Sequence, residues 1–292
     1  MADPQSSITQ VKPRQSSSGK RIASSLFLAL ALLSAAFARP LALHYFAPKF
    51  LDYGPNGPQT PADVGLTFER VRIPSGRRQL DAFLVNAESA CQTRTALLIF
   101  HGVGETISQW VQAQRFLHDH CVSSLVFDYS GYGDSSKPGT IDNVNQDAIS
   151  AYSYFALRFP DNELCVLGHS LGNAPMLQQL PRFRRAPDCV IVGNGFSAFR
   201  ELHTSRFITY VVPGAWDNIR SVARVRIPLL VIHSDADSVV PLAMGQRVFQ
   251  AASQPKRMVV LHGLPHDELF TQPSEEWWGP VLAFLRAPLA RP

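Results

Sequence analysis

One serine of the chain stands in a pattern that suits covalent chemistry, Gly168-His169-Ser170-Leu171-Gly172. An apolar run precedes the pattern and a helix-like stretch follows it, so Ser170 falls at a strand-to-helix turn. Such a turn exposes the serine hydroxyl at the edge of a sheet, and the two glycines allow the turn to close tightly. The short pattern alone is common, and its serine could simply cap a helix. Its position after a buried run favours Ser170 as a nucleophile.

A serine hydroxyl reacts poorly at neutral pH and needs a base to take its proton. The chain has nine histidines. His266 is the preferred base because it lies in a loop after the last predicted strand, within Gly263-Leu264-Pro265-His266-Asp267. The alternative is His262, which stands at the end of that strand and is expected to pack there.

The base in turn needs an acidic group that orients it. Two carboxylates, Asp235 and Asp237, follow the apolar run that ends at His233. Asp237 is the preferred partner of His266. Asp235 is expected to organise its loop through its side chain, as aspartates in turns often do.

Eight short apolar or β-branched runs are predicted strands. The first two alternate apolar and polar residues, as an antiparallel hairpin at a sheet edge does. The later runs are continuously apolar, which is typical of parallel strands buried on both faces. The predicted strands are Phe68–Ile73, Leu80–Val85, Ala96–Phe100, Ser124–Asp128, Leu164–Gly168, Cys189–Gly193, Leu229–His233 and Arg257–Leu261.

The segments between the later runs are long enough for crossover helices. The predicted helices are Trp110–His118, Asn143–Phe159, Leu171–Leu180, Met244–Ala252 and Trp277–Leu285. The pattern therefore predicts one doubly wound α/β domain over residues 64–292.

A short cap is predicted over residues 196–228, between the sixth and seventh strands. Its aromatic and apolar side chains could line an acyl-binding wall or simply pack the cap onto the sheet. These side chains are Phe196, Phe199, Phe207, Tyr210, Val211 and Trp216.

Further landmarks accompany the serine turn, the acid loop and the final histidine, namely Phe100-His101-Gly102 and the segment Phe127–Ser135. With them, the chain resembles the α/β-hydrolase superfamily from about Thr67 to Leu285, with the order serine, acid, histidine that this superfamily has. It resembles especially the small-capped, often membrane-anchored serine hydrolases of the BEM46 and ABHD17 groups.

The resemblance implies an α/β-hydrolase fold, with an eight-stranded, mostly parallel sheet, helices on both faces and a small cap. It also implies that the backbone N–H groups of Val103 and Leu171 form an oxyanion hole, and that His101 is a structural loop residue. The chain departs from the pattern at Asn173, where many relatives have glycine, and at Pro175. Proline is tolerated in a first helical turn, so the departures bear on the shape of the pocket rather than on the turn itself.

Residues 1–21 are predicted to form a disordered tail, and residues 39–63 a linker rich in proline and glycine. Between them, residues 22–38 are uncharged and almost wholly apolar. The segment could be an uncleaved membrane anchor or a signal peptide, because Ala36-Phe37-Ala38 has the form of a cleavage site. In either case the basic residues before it would keep the N-terminus in the cytoplasm and place the catalytic domain on the other side.

The net charge of +4 derives partly from the tail. This excess of basic residues suggests that the tail orients the chain in a membrane rather than that the protein binds nucleic acid. No zinc-type pairing of cysteines occurs, so a metal site is not expected. Cys165 and Cys189 lie in predicted strands and are expected to be free, buried thiols. Cys91 and Cys121 could form a disulfide if the domain is exported.

These features predict a serine hydrolase that cleaves an ester or thioester with an apolar acyl part, without metal or organic cofactor. The substrate itself could be a lipid, a peptide or a small ester. An acyltransferase that uses the same acyl-enzyme is the first alternative. A binding module without turnover is the second, and the intact set of Ser170, Asp237 and His266 argues against it. The oligomeric state is left open.

Overall fold

Eight strands form one sheet in the computed structural model, which describes residues 51–92, 94–202 and 216–287. The strands are β1 Glu69–Ser75, β2 Arg78–Val85, β3 Thr95–Phe100, β4 Val122–Phe127, β5 Glu163–His169, β6 Cys189–Gly193, β7 Leu229–Ser234 and β8 Lys256–Leu261. All eight predicted strands are confirmed, each within two residues at either end.

The order across the sheet is β1-β2-β4-β3-β5-β6-β7-β8. Strand β2 is antiparallel to both of its neighbours, and β4, β3, β5, β6, β7 and β8 run parallel to one another. The chain thus passes from β3 to β4 on one side and then crosses to β5 on the other. In open α/β sheets, ligands bind at such a switch point, beyond the carboxyl ends of the strands.

Helices cover both faces of the sheet, as crossover connections between parallel strands require. The described helices are α1 Val111–Asp119, α2 Ile141–Arg158, α3 Asn173–Gln179, α4 Asn218–Val222, α5 Leu242–Ala251, α6 Glu268–Thr271 and α7 Glu275–Arg286. All five predicted helices are present. Short 3-10 turns lie at Pro61–Val64, Ile107–Trp110, Ser170–Gly172, Leu180–Arg182 and Phe199–Glu201.

The core has two layers, one on each face of the sheet. Along β3, Ala96, Leu98 and Phe100 belong to one buried cluster. Leu97 and Ile99 belong to the other, with the side chains of α1 and α7. A strand buried on both faces has no polar alternation, and this explains the continuous apolar runs of the sequence. The α/β-hydrolase fold predicted from the resemblance is therefore present.

The cysteines form two disulfides, one of which contradicts the sequence prediction. Cys91 is joined to Cys121, a pairing that the sequence left open. The prediction that Cys165 and Cys189 are free is wrong, since they too are joined. Both are buried, as expected, but parallel register places them directly opposite each other on β5 and β6, with Cα atoms 4.7 Å apart.

The predicted tail (1–21), the apolar segment 22–38 and residues 39–50 of the linker lie outside the described residues, as do cap residues 203–215. Within the described ranges, no helix has both the length and the apolar character needed to span a bilayer. The described part of the cap contains α4 and the buried side chains of Phe196 and Trp216. Trp216 donates from Nε1 to Asn145 Oδ1 of α2 at 3.1 Å. For these two aromatic residues the structure therefore shows a packing role.

Candidate active site

Ser170 lies immediately after β5 in a strained turn. Its φ is +49°, in the left-handed region that few non-glycine residues adopt. A Cβ atom at Gly172 would overlap the carbonyl oxygen of Phe100, and one at Gly168 would lie 2.7 Å from the Cα atom of Asn173. Both glycines are thus required by close backbone approach. Strain of this kind persists only where the surroundings hold it, and it concentrates at functional sites.

Asn173, one of the two departures from the superfamily pattern, stabilises this turn through its side chain. Its buried side chain donates from Nδ2 to the carbonyl oxygens of Ser170, at 3.1 Å, and of Gly193, at 2.9 Å. The amide therefore ties the serine turn to the end of β6. Sequence reasoning assigned Asn173 only to the shape of the pocket. Its position three residues after the serine, at the start of a helix, was the available signal for a local hydrogen bond to the backbone.

The predicted base and acid are brought together. His266 Nδ1 lies 2.7 Å from Asp237 Oδ2, and the histidine side chain is 14% exposed while the carboxylate is buried. The other carboxylate oxygen accepts hydrogen bonds from the backbone N–H groups of Val239 and Val240, at 2.9 and 2.8 Å. The loop after β7 thus fixes the carboxylate, and the carboxylate faces the loop after β8.

Burial alone would raise the pKa of Asp237. The hydrogen bonds from His266 and from the amides of Val240 and Val239 outweigh burial and hold the pKa of Asp237 below its ordinary value. The carboxylate is therefore ionised at neutral pH. An ionised acceptor keeps the proton of His266 on Nδ1 and leaves Nε2 free of a proton in the neutral ring.

His266 also lies beside the serine turn. Its ring centroid is 4.7 Å from that of His169, the residue that directly precedes Ser170. The structure thus places the predicted nucleophile, base and acid in three loops at the carboxyl ends of β5, β8 and β7.

The alternative pair, His262 and Asp235, is also in contact. His262 Nδ1 lies 2.7 Å from Asp235 Oδ2, and the histidine side chain is 80% exposed. His262 is therefore not packed at the strand end as expected, because its ring extends from the sheet to meet a carboxylate at the surface. Asp235 also accepts the N–H of Gly263 at 2.9 Å. Its predicted role as a loop organiser is thus present, and it links the two loops to each other.

The loop after β3 contacts the serine turn. A Cβ atom at Gly102 would lie 3.1 Å from Ser170 Cβ, so the loop that carries Val103 passes close to Ser170. Leu171, the other predicted oxyanion donor, follows the serine in the 3-10 turn. The assignment of Val103 and Leu171 to an oxyanion hole stays a prediction. His101 is fully buried and accepts, through its backbone oxygen, the Tyr129 hydroxyl at 2.9 Å.

Three polar residues around the site, Glu105, His169 and Asn194, were not singled out from the sequence. Each is buried and directly bonded to one of the site loops. The available signal was position, because all three stand at or just beyond the carboxyl ends of β3, β5 and β6, where side chains of a parallel sheet converge.

A family model described as serine aminopeptidase, S33, matches residues 91–198. Among curated relatives, Rv2307c of Mycobacterium tuberculosis is 26% identical over 179 residues, which cover 59% of this chain and 63% of that protein. The lysophosphatidylserine lipase ABHD12 of Macaca fascicularis is 27% identical over 188 residues, 57% of this chain and 47% of that protein. The chain therefore spans 63% of the length of the first relative and 47% of the length of the second. YfhR of Escherichia coli is 25% identical over 263 residues, 86% of this chain and 90% of that protein.

Solved structures share the fold at lower sequence identity. The esterase Pf2001 of Pyrococcus furiosus superposes with a TM-score of 0.65 at 17% identity, covering 82% of this chain and all of that one. Est1E of Butyrivibrio proteoclasticus gives a TM-score of 0.60 at 17% identity over 74% of this chain and 96% of that one. The narrower resemblance to the BEM46 and ABHD17 groups stays a prediction. By its sheet and these similarities, the chain has the α/β-hydrolase fold and is similar to members of that superfamily.

Proposed function

We propose that the protein is a serine hydrolase that cleaves a carboxylic ester or thioester through an acyl-enzyme on Ser170. The observation that carries the proposal is the 2.7 Å contact between His266 Nδ1 and Asp237 Oδ2, beside the strained turn of Ser170. The hydrolase family model and the similarity to a lipase and to esterases support the same reaction class.

In the proposed reaction, Ser170 Oγ attacks the carbonyl carbon of the substrate while His266 Nε2 takes the hydroxyl proton. The protonated base then gives that proton to the leaving alcohol or thiol, and the bond to the leaving group breaks. Water repeats the sequence on the acyl-enzyme and releases the acid. Asp237 stabilises the imidazolium that forms in both halves and fixes its orientation.

The negative charge on the tetrahedral intermediate requires donors that are already in place. The backbone N–H groups of Val103 and Leu171 are the proposed donors. The close approach of Gly102 to Ser170 supports this assignment, because it brings the β3 loop next to the reacting atom. Loss of one such donor typically costs about 10²- to 10³-fold in kcat.

The acyl part of the substrate is proposed to be apolar. Val103 and Val239 are large apolar side chains that remain 46% and 59% exposed, in the β3 loop and in the acid loop. ABHD12, by its name, acts on a lysophospholipid. Both observations favour a lipid-like ester, and the S33 description of the family model makes a peptide amide the competing substrate.

Labelling with a fluorophosphonate probe tests the nucleophile. We expect rapid labelling of the wild type and none of Ser170→Ala. Ser153→Ala, which removes an exposed hydroxyl of α2, is the matched control and should label like the wild type. Labelling of Ser170→Ala at the wild-type rate would reject the proposal.

A substrate series tests the acyl group and the acceptor. p-Nitrophenyl esters of increasing chain length, an acyl thioester and an aminoacyl anilide should be compared by kcat/KM. A rise with chain length supports the apolar acyl site, whereas preference for the anilide would reject an ester substrate. Product analysis with added alcohol separates hydrolysis from acyl transfer, because a transferase yields the new ester as its main product.

We further propose that residues 22–38 direct the domain out of the cytoplasm, as a membrane anchor or as a signal peptide. The Cys91–Cys121 disulfide supports this placement, because disulfides persist mainly in oxidising compartments. Fractionation of a C-terminally tagged full chain tests it. A full-length, freely soluble product with reduced cysteines would reject the proposal.

A further inference from the structure

The backbone oxygen of His266 is held by two side chains from neighbouring strands. His169 Nε2 lies 3.0 Å from that oxygen, and Asn194 Nδ2 donates to it at 2.9 Å. His169 is the last residue of β5, and Asn194 directly follows β6. The residue that carries the proposed base is thus fixed through its main chain to the central part of the sheet.

The other ring nitrogen of His169 meets a buried carboxylate. His169 Nδ1 lies 2.8 Å from Glu105 Oε1. The second oxygen of Glu105 accepts the backbone N–H of Gly102 at 2.8 Å and the indole N–H of Trp110 at 3.0 Å. Glu105 therefore connects the loop that contacts Ser170 with the histidine that holds the base loop.

These contacts define the protonation of the pair. A backbone oxygen can only accept, so Nε2 of His169 carries a proton. Two N–H groups point at Oε2 of Glu105, which favours the ionised carboxylate, and Oε1 then accepts a hydrogen bond from the protonated Nδ1 of His169. Burial lowers the pKa of His169 and raises that of Glu105, but their mutual attraction and hydrogen bond outweigh burial in both cases. The contacts therefore favour a buried imidazolium paired with a carboxylate.

Asn194 is fixed as firmly as His169. Its Oδ1 accepts the backbone N–H of Ser234 at 3.3 Å, so its Nδ2 must be the group that faces His266. Its φ is +44°, a backbone conformation that asparagine tolerates better than most residues. Asn194 thus joins the ends of β6 and β7 to the base loop.

We propose, on the basis of the proposed function, that Glu105, His169 and Asn194 are positioning residues, which hold the main chain of His266 so that its imidazole reaches Ser170. Asp237 fixes the orientation of the His266 ring, whereas the contacts from His169 and Asn194 fix the position of the His266 main chain. A displacement of about 1 Å in a catalytic group can lower the rate about 10²-fold. Loss of one of two donors to the same oxygen should therefore slow acylation strongly, while substrate binding changes little.

Two variants remove the donors separately. Asn194→Asp is nearly isosteric and replaces the N–H donor by an oxygen that repels the His266 carbonyl. His169→Gln removes the imidazole whose Nε2 is the second donor to the His266 backbone oxygen. For each we expect labelling of Ser170 by a fluorophosphonate to slow by about 10- to 100-fold. With an ester substrate, kcat should fall while KM stays near that of the wild type.

A conservative variant distinguishes positioning from a need for charge. In Glu105→Gln, the amide can donate to an unprotonated Nδ1 of His169, and Nε2–H still reaches His266. Glu105→Gln should therefore retain most of the rate, whereas Glu105→Leu should lose it as His169→Gln does. Equal rates for Gln and Leu at this position would contradict the proposal.

His120 provides a matched control. Its ring also contacts one carbonyl oxygen and one carboxylate, Phe116 O at 2.8 Å and Glu275 Oε1 at 2.9 Å. It lies just before β4, at the amino edge of the sheet, away from Ser170. His120→Gln should label at the wild-type rate.

The decisive comparison repeats His169→Gln and Asn194→Asp in a His266→Ala background, with prolonged labelling to measure the residual rate. Positioning residues act through the base, so neither change should slow the residual reaction further. An equal loss with and without His266, or wild-type rates for both single variants, would overturn the inference. Thermal unfolding shows whether a variant has lost its fold. If only one of His169→Gln and Asn194→Asp folds, that variant alone suffices for the comparison with and without His266. A wild type that does not label at all would reject the proposed function instead.

Discussion

His262 and Asp235 are joined by a 2.7 Å contact at the surface, the same separation that joins His266 and Asp237 in the site. The two loops therefore present two histidine–aspartate pairs, and contact alone does not identify the base. Exposure separates them, because the His262 side chain is 80% exposed and that of His266 is 14% exposed. A base works best where water is excluded and its orientation is fixed.

Replacement of His262 and of His266 by alanine tests which of the two histidines is the general base. His266→Ala should lower kcat/KM for an ester by about 10²- to 10⁴-fold, the usual contribution of a general base. His262→Ala should leave kcat/KM close to that of the wild type, since it removes only an exposed pair. The measurement is steady-state hydrolysis at pH 7.5 to 8. A larger loss in His262→Ala than in His266→Ala would reverse the assignment.

Asp237→Asn tests the orienting acid. The amide keeps the size of the side chain but can donate a hydrogen bond to Nδ1, which favours the tautomer of His266 with its proton on Nε2. That tautomer cannot accept the serine proton, and in a comparable triad the exchange lowers kcat about 10⁴-fold. Asp235→Asn is the matched control and should keep nearly full activity. Comparable losses in both variants would show that the loop contact, and not the acid, matters.

The strands could be predicted because a continuous run of apolar residues indicates a strand that is buried on both faces. In β3, five consecutive apolar residues alternate between the two core clusters, so the run itself indicates that both faces of the strand are buried. The serine turn was equally visible, since Gly168 and Gly172 are needed by close contacts within a few residues or with an adjacent strand.

Contacts between distant segments could not be predicted in the same way. Cys165 and Cys189 read as buried residues, but their disulfide depends on the register of two strands. Likewise, the bond from Asn194 to His266 spans 72 residues. No local pattern of residue types encodes such a pairing, because it follows from the order of strands in the sheet.

Gly172→Ala tests the packing of the serine turn. An added methyl group would overlap the backbone oxygen of Phe100, which cannot move without displacing β3. Overpacking usually costs about 1 to 3 kcal/mol, and the free energy of unfolding in urea should fall by at least that amount. Activity should fall as well, because the turn sets the position of Ser170.

Gly279→Ala is the control for that substitution. Gly279 lies within α7, and its added Cβ atom would be 3.7 Å from the nearest atom, an ordinary contact. Alanine is favoured over glycine in a helix by about 0.5 to 1 kcal/mol. Because Pro280 follows directly and disfavours the helical conformation of a residue that has a Cβ atom, that gain is opposed, and this variant should stay close to the wild type in stability. If Gly172→Ala proved as stable as Gly279→Ala, the close approach at the serine turn would be wrong.

The pair Glu105–His169 should give the stability of the protein a characteristic pH dependence. The pKa of His169 is raised in the folded protein, so its contribution is complete below about pH 6.5, the pKa of histidine in an unfolded chain. It is lost as the pH rises through the folded pKa. The pKa of Glu105 is lowered, so its contribution is complete above about pH 4.3 and is lost as the pH falls through its folded pKa.

The difference in unfolding free energy between the wild type and Glu105→Gln should therefore be largest between about pH 4.3 and 6.5 and smaller on both sides. Urea unfolding followed by fluorescence at several pH values measures it. Glu275→Gln removes the carboxylate of the other histidine–glutamate pair, in which Glu275 is 69% exposed, and exposed pairs contribute little. A difference that is constant with pH would mean that Glu105 and His169 are not an ion pair. The imidazolium assigned to His169 would then be wrong, although its hydrogen bond to His266 would stand.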